Sequence, residues 1–139
     1  MLDRNHNHFR VWAHGSDITT GASDAGWTVV DGGTIPLALS SNFDYYITQT
    51  AIHPETVSDA FHYKVVTLDS NSATPVDKTG ELGTHTGAAV AGQDSEKLDW
   101  NPPIKVVFSA AASEIGFTID FGDTDAVAGF MMSGYKVKK

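Results

Sequence analysis

Alternation of apolar and polar residues is the feature that most constrains the fold of this chain. In GFTIDFG (116–122), every second residue from Phe117 to Phe121 is aromatic or aliphatic, and Thr118 and Asp120 lie between them. This period of two is typical of a strand that is buried on one face only, as in antiparallel sheets. The chain's 13 glycines and many Ser, Thr, Asp and Asn residues separate similar short runs, which is the spacing of an all-β protein.

The number of these runs predicts a particular all-β architecture. We count about eight strands, which favours a two-sheet sandwich of the jelly-roll or Greek-key type, with a closed barrel as the alternative. The run Asp31-Gly32-Gly33 predicts a hairpin-type turn that needs positive φ.

The length of the chain predicts one domain. Its 139 residues suit a single β-sandwich domain, 1–139, and are too few for two domains of ordinary size. At most a short helical turn is expected near 54–60, because Pro54 suits a first helical turn. Residues 70–103 show no sustained period, so they predict an irregular excursion from the domain, which either contains a short strand near 87–91 or orders on a partner.

Composition excludes several classes of function. The chain has no cysteine, which removes disulfides, thiolate catalysis and Cys-based zinc sites. Its net charge of −8 disfavours binding to nucleic acid or to anionic lipid. No apolar run is long enough to span a membrane, and MLDRNHNHF shows no secretory signal.

The first predicted strand, HFRVWAH (8–14), has two faces of different character. Phe9, Val11 and Ala13 alternate as a core face. The opposite face carries large amphipathic side chains, and Arg and Trp are enriched at protein–protein hot spots. The sequence therefore predicts a subunit contact on this face; packing of Trp12 across the sandwich is the alternative. The outward set is His6, His8, Arg10, Trp12 and His14.

The last predicted strand, GFMMSGYKVK (129–138), is apolar on both faces in its first half. A strand of this kind needs cover on both sides, and a neighbouring subunit could supply the second cover. Excursion 70–103 folding over the strand is the alternative. We predict partner contacts for His8, Arg10, Trp12, Phe130, Met131, Met132 and Tyr135.

Two groups of residues are candidate metal ligands. His6 and His8 are two residues apart on one strand and resemble the metal strand of cupins, although the Glu of the cupin pattern does not follow. Asp120, Asp123 and Asp125 could gather oxygens around Ca²⁺, but EF-hand spacing is missing. Neither group matches a complete metal-binding pattern, so no metal or cofactor is predicted.

No grouping of catalytic residues is recognisable. The chain has neither a Gly-x-Ser-x-Gly elbow nor a phosphate-binding Gly-rich loop that leads into a helix. His53, His62 and His85 are isolated in the sequence. We therefore predict that the protein is not an enzyme.

A small, acidic, cysteine-free and β-rich chain of this kind resembles the capsid cement or decoration proteins of tailed bacteriophages. The resemblance is one of profile across the whole chain, without a motif, so no residue role transfers. It implies a homo-oligomer, a dimer or trimer, that is made in the host cytoplasm. It also implies a site on the outer capsid surface of the virion, where the oligomer binds and stabilises subunits of the major capsid protein.

Two other functions remain open from the sequence. A receptor- or glycan-binding module of a viral fibre or tail could use Tyr45, Tyr46, Trp27 and Trp100 as platforms for sugar rings. A metal-dependent enzyme of the cupin type could use His6 and His8.

Overall fold

The computed structural model describes residues 6–14, 19–24, 27–54, 61–69, 78–87, 96–121 and 128–139. All regular structure in these residues is β-strand, which confirms the predicted all-β class. The strands are β1 (His6–Ala13), β2 (Thr19–Asp24), β3 (Trp27–Asp31), β4 (Leu37–Ala38), β5 (Phe43–Pro54), β6 (Phe61–Leu68), β7 (Lys78–Gly87), β8 (Glu96–Val107), β9 (Glu114–Phe121) and β10 (Ala128–Lys138).

The strands form two antiparallel sheets. The four-stranded sheet has the order β1-β10-β5-β8. The six-stranded sheet has the order β2-β3-β9-β6-β7, and β4 pairs with β9 beside this path. The described strands exceed the predicted eight because β2 and the two-residue β4 are added to the six-stranded sheet.

The pairing of the other eight strands is that of a jelly roll. Strand β1 pairs with β10, β3 with β9, β5 with β8, and β6 with β7, so the pairs are nested from the ends of the chain inward. Successive pairs alternate between the two sheets. This is a long antiparallel ribbon wrapped into a sandwich, which is the jelly-roll arrangement. The structure thus confirms the two-sheet prediction and selects its jelly-roll form.

Apolar side chains from both sheets fill the space between them. Ile47 and Met132 come from the four-stranded sheet, and Val65 and Phe117 from the six-stranded sheet; each is fully buried. The Phe117 ring lies 5.7 Å from the ring of Phe130 in the opposite sheet. Burial of these residues supplies the main driving force for closing the sandwich.

One polar cluster crosses this core. The hydroxyl groups of Thr50 and Tyr63 are hydrogen-bonded at 2.9 Å, which joins the two sheets. The indole N–H of Trp100 donates to the Thr50 hydroxyl oxygen at 3.1 Å. The buried hydroxyl groups of Thr50 and Tyr63 therefore have partners, which offsets the cost of burying them.

The outer face of the six-stranded sheet is also partly buried. Val29, Val66 and Leu68 form a second apolar cluster there, and each is at most 2% exposed. The chain itself covers these positions, so they offer no apolar surface to a partner.

The prediction that 70–103 is an irregular excursion is wrong for the residues of this range that the structure describes, because they form strands. Strand β7 pairs with β6, and β8 begins at Glu96 and pairs with β5. The sequence pattern did not reveal β7, because KTGELGTHTG is poor in β-forming apolar residues. In addition, its pairing with β6 contains two register shifts, which interrupt a regular alternation. Pro54 ends β5 instead of starting a helical turn, and residues 55–60 lie outside the described residues.

Two glycines of β10 provide a matched test of the sheet packing. A β-carbon added at Gly134 would collide with the backbone carbonyl of Tyr46, whereas one added at Gly129 would meet its nearest atom at 3.8 Å. A backbone carbonyl inside a ladder cannot rotate away as a side chain can. We expect Gly134→Ala to lower the free energy of unfolding by about 3 kcal/mol or more, and Gly129→Ala by about 1 kcal/mol or less. Urea denaturation measures both; equal effects would contradict the described register.

Glu114 provides a test by pH. Partial burial, together with the nearby carboxylates of Asp31 and Asp69, raises the pKa of Glu114 above its ordinary value of 4.5. Because the folded state favours the protonated form, ionisation of Glu114 reduces stability as the pH rises above this range. We expect Glu114→Gln to raise the Tm by about 1–2 °C at pH 7; the effect is small because the group is only partly buried and solvent screens its charge. The gain should disappear near pH 3.5; a gain that is equal at both pH values would rule out this origin.

Candidate contact surface

Strand β1 lies at the edge of the four-stranded sheet and presents two different faces. Val11 and Ala13 are buried in the core. His8, Arg10 and Trp12 are exposed on the opposite face. The prediction of which side chains of this strand face the core and which face outward is confirmed for these residues. The side chain of His6 lies outside the described residues.

The register of the sheet places Trp12 in a row of outward residues. Trp12 is opposite Met131 of β10, Met131 is opposite Ala51 of β5, and Ala51 is opposite Lys97 of β8. Because Ala51 is small, it leaves the Trp12 and Met131 side chains standing above the sheet. We refer to the outward side chains of His8, Arg10, Trp12, His14 and Met131 as the Trp12 surface.

Trp12 is 55% exposed although its backbone is well held. Its N–H donates to the Thr34 hydroxyl oxygen at 2.8 Å, and the Thr34 N–H donates to the Trp12 carbonyl at 2.9 Å. The turn that presents Thr34 contains Gly33 at a φ of 56°, as the Gly-Gly pair predicted. The exposure of Trp12 is therefore a fixed feature of the fold, not the result of a fraying strand end.

Two shallow depressions flank the Trp12 ring. One, of about 410 Å³, is lined by Arg10, Trp12 and Met131. The other, of about 250 Å³, is lined by Trp12 and Met131 together with residues that include His14 and His53. Trp12 and Met131 line both depressions, so a partner could seat apolar side chains in either of them.

A stacked aromatic pair borders the Trp12 surface. The rings of Tyr46 and Tyr135 lie 4.9 Å apart and nearly parallel, in the same row as His8 and Lys105. The Lys105 Nζ atom is 5.9 Å from the centre of the Tyr46 ring. Tyr135 thus faces outward, but one face of its ring is occupied by Tyr46.

Two of the predicted contact residues are core residues. Phe130 is 3% exposed and Met132 is fully buried, so neither can meet a partner in this fold. They lie on the inward side of β10, where the six-stranded sheet supplies the cover that the prediction assigned to a second subunit. Of the three adjacent apolar residues, only Met131 faces outward.

The aromatic residues proposed as sugar platforms are largely engaged within the chain. Tyr45 is 3% exposed, and its hydroxyl accepts a hydrogen bond from the Ser40 N–H at 2.8 Å. Trp100 donates to Thr50, as described above, and Tyr46 stacks on Tyr135. The side chain of Trp27 lies outside the described residues.

The metal candidates do not come together in the part of the chain that the structure describes. His8 points outward from the edge of the sandwich. The side chain of Asp120, and Asp123 and Asp125 entirely, lie outside the described residues. Among the described residues, no group of three or more His, Asp or Glu side chains could hold a metal ion, and no helix could cross a membrane.

The structure adds residues that the sequence did not single out. Thr34 holds Trp12 from 22 positions away in the chain. His53 lines the same depression as His14, although it is isolated in the sequence. Only the strand register brings these residues together, so no local motif could have identified them.

Comparison with known proteins places the chain in no family. No family model and no curated protein matches it. Among solved structures, the coat protein of Tobacco streak virus is 12% identical with a TM-score of 0.45, over 99% of this chain and 89% of that one. A chain of infectious bursal disease virus, Gx strain, is 9% identical with a TM-score of 0.44, over 98% of this chain and 33% of that one. Both TM-scores are too low to assign the chain to the fold family of either protein.

Truncating one outward and one inward residue tests the placement of the Trp12 surface. We expect Trp12→Ala to lower the free energy of unfolding by about 1 kcal/mol or less, because its side chain is mostly in water. Phe130→Ala should cost about 3–5 kcal/mol, because it leaves a cavity in the core. Urea denaturation compares the two; a larger loss for Trp12→Ala would identify Trp12 as a core residue.

Proposed function

We propose that this protein is a structural component of a virus particle that binds neighbouring capsid subunits through the Trp12 surface. In this role it acts as a cement or decoration protein on the outer surface of the capsid. It is a binding module and not an enzyme, and it functions as a dimer or trimer.

The observation that most supports this proposal is the exposure of a firmly held Trp12. A large apolar ring in water is unfavourable unless a partner covers it. Trp12 lies beside Met131 and Arg10, and Trp, Met and Arg are enriched in protein–protein interfaces. The Gly33 turn and Thr34 hold the backbone beneath the ring, so binding loses little conformational entropy there.

The choice of a virion rests on the fold class together with the sequence profile. Jelly rolls occur in viral capsid proteins, lectins and cupins, so the fold alone does not select among these functions. The sugar platforms are largely engaged inside the chain, and His8 points away from the interior that a cupin metal would occupy. The profile of a small, acidic, cysteine-free chain favours the virion.

Association of many copies would stabilise the shell. A specific interface buries about 800 Å² on each partner. Each copy that spans a seam between two subunits adds such contacts, and the second contact forms at a high effective concentration. Modest affinity at each seat is therefore sufficient for a rigid particle.

The proposal is tested by co-sedimentation of the full chain with particles of the virus that encodes it. Trp12→Ala should weaken binding at least tenfold, which is about 1.4 kcal/mol. Val107→Ala is the matched control, because Val107 is the other large apolar residue that is exposed among the described residues, at 45%. It should change binding less than twofold.

Three results would contradict the proposal. The wild-type chain fails to sediment with the particles, or the two variants bind alike, or Trp12→Ala binds as wild type does.

A further inference from the structure

We propose that β1 accepts an extended acidic segment of the partner protein as a fifth strand of the four-stranded sheet. The inference rests on the proposed function, since the segment belongs to the protein bound at the Trp12 surface. It adds to that function by naming the chemistry of the partner and the way in which it binds.

Within the described part of the chain, the outer edge of β1 is unpaired at His8 and Arg10. In a strand, the N–H and C=O of one residue point to the same side, and those of the next residue point to the other side. Trp12 directs both groups to Thr34, away from β10. Arg10 and His8 have the same parity, so their N–H and C=O groups also point away from β10, and no described residue bonds to them.

The other edge of this sheet is unsuited to strand addition. Strand β8 contains Pro102 and Pro103, which have no N–H to donate. Proline on an edge strand is a common device against pairing with another chain. Within the four-stranded sheet, β1 is therefore the edge that can accept a strand, over the short stretch from His6 to Arg10.

The charge at the outer edge of β1 indicates which kind of segment can pair with it. Although the chain has a net charge of −8, the cationic side chain of Arg10 lies on the outward face of this edge, on the same face as His8. The nearest carboxylate in the Arg10 row is Asp99, three strands away, and it accepts a hydrogen bond from the Gln49 amide at 2.9 Å. Opposite charges on neighbouring strands attract, so the added strand is expected to place a carboxylate beside Arg10.

The depression of about 410 Å³ defines a second feature of the segment. It is open between Arg10, Trp12 and Met131, next to the edge. Because Thr34 occupies the edge at Trp12, the segment leaves the sheet beyond Arg10, and an outward side chain just past its paired stretch lies near this depression. An apolar side chain there would cover the exposed ring.

The same charge disfavours a second copy of this chain as the occupant. Within the stretch His6–Arg10, two antiparallel β1 strands would place Arg10 of one copy beside the histidines of the other, and the stretch contains no carboxylate that could pair with Arg10. A charged residue on an edge strand without an opposite charge across from it opposes self-association. The occupant is therefore a different, acidic chain.

The inference is tested by amide exchange and NMR titration of the full chain with a designed peptide. The probe is an eight-residue blocked peptide with Asp and Leu at alternate outward positions and Thr between them. One control peptide has Lys in place of Asp, and the other is N-methylated along one edge.

In the free chain, we expect the amides of His8 and Arg10 to exchange at least a hundredfold faster than those of Phe9 and Val11, which face β10. The Asp peptide should slow exchange at His8 and Arg10 and bind at least tenfold more tightly than either control peptide. Arg10→Glu should reverse the preference between Asp and Lys.

Slow exchange at His8 and Arg10 in the dilute free chain would overturn the inference, as would equal binding of the Asp and Lys peptides. Protection that depends on protein concentration, together with a dimer mass by ultracentrifugation, would show that a second copy occupies the edge. If the chain sediments with particles while its His8 and Arg10 amides stay unprotected on them, the inference fails and the proposed function stands. If the Asp peptide binds but the chain does not sediment, the proposed function fails alone.

Discussion

Burial of Phe130 and Met132 against the six-stranded sheet determines which side of β1 and β10 faces water. Because side chains alternate across a strand, a shift of one residue in either strand would move the apolar set outward and Trp12 inward. The contact of Phe117 with Phe130, and the hydrogen bond of Thr50 with Tyr63, tie the two sheets together at this level. The Trp12 surface is thus a consequence of the way in which the core is packed.

The same packing explains why an exposed tryptophan can remain ordered. Thr34 binds both backbone groups of Trp12, and Gly33 provides the turn that brings Thr34 to the edge of β1. Beyond Thr34, no described residue bonds to the outer edge at Arg10 and His8. One short strand therefore combines a hydrogen-bonded backbone beneath an apolar ring with a backbone, beneath Arg10 and His8, to which no described residue bonds. Such a division suits a partner that contributes both an apolar anchor and an extended acidic segment.

The sequence predicted what depends on local alternation and missed what depends on pairing. The faces of β1, the burial of Phe117 and the turn at Gly33 follow from neighbouring residues, and the structure confirms them. Strand β7 could not be recognised, because its glycines and polar residues have low β-propensity and only pairing with β6 makes them a strand. The misplacement of Phe130 and Met132 has a related cause: alternation separates two faces but does not say which face another sheet covers. Thr34 and His53 join the site through the register, which no local pattern encodes.

A direct measurement of the central claim is hydroxyl-radical footprinting of the full chain, free and bound to particles of the virus that encodes it. Oxidation of Trp12 should be rapid in the free chain and at least tenfold slower on the particle, while oxidation of Val107 should be nearly unchanged. Equal oxidation of Trp12 in both states would show that the most exposed large apolar side chain described in this fold is not where the protein meets its partner.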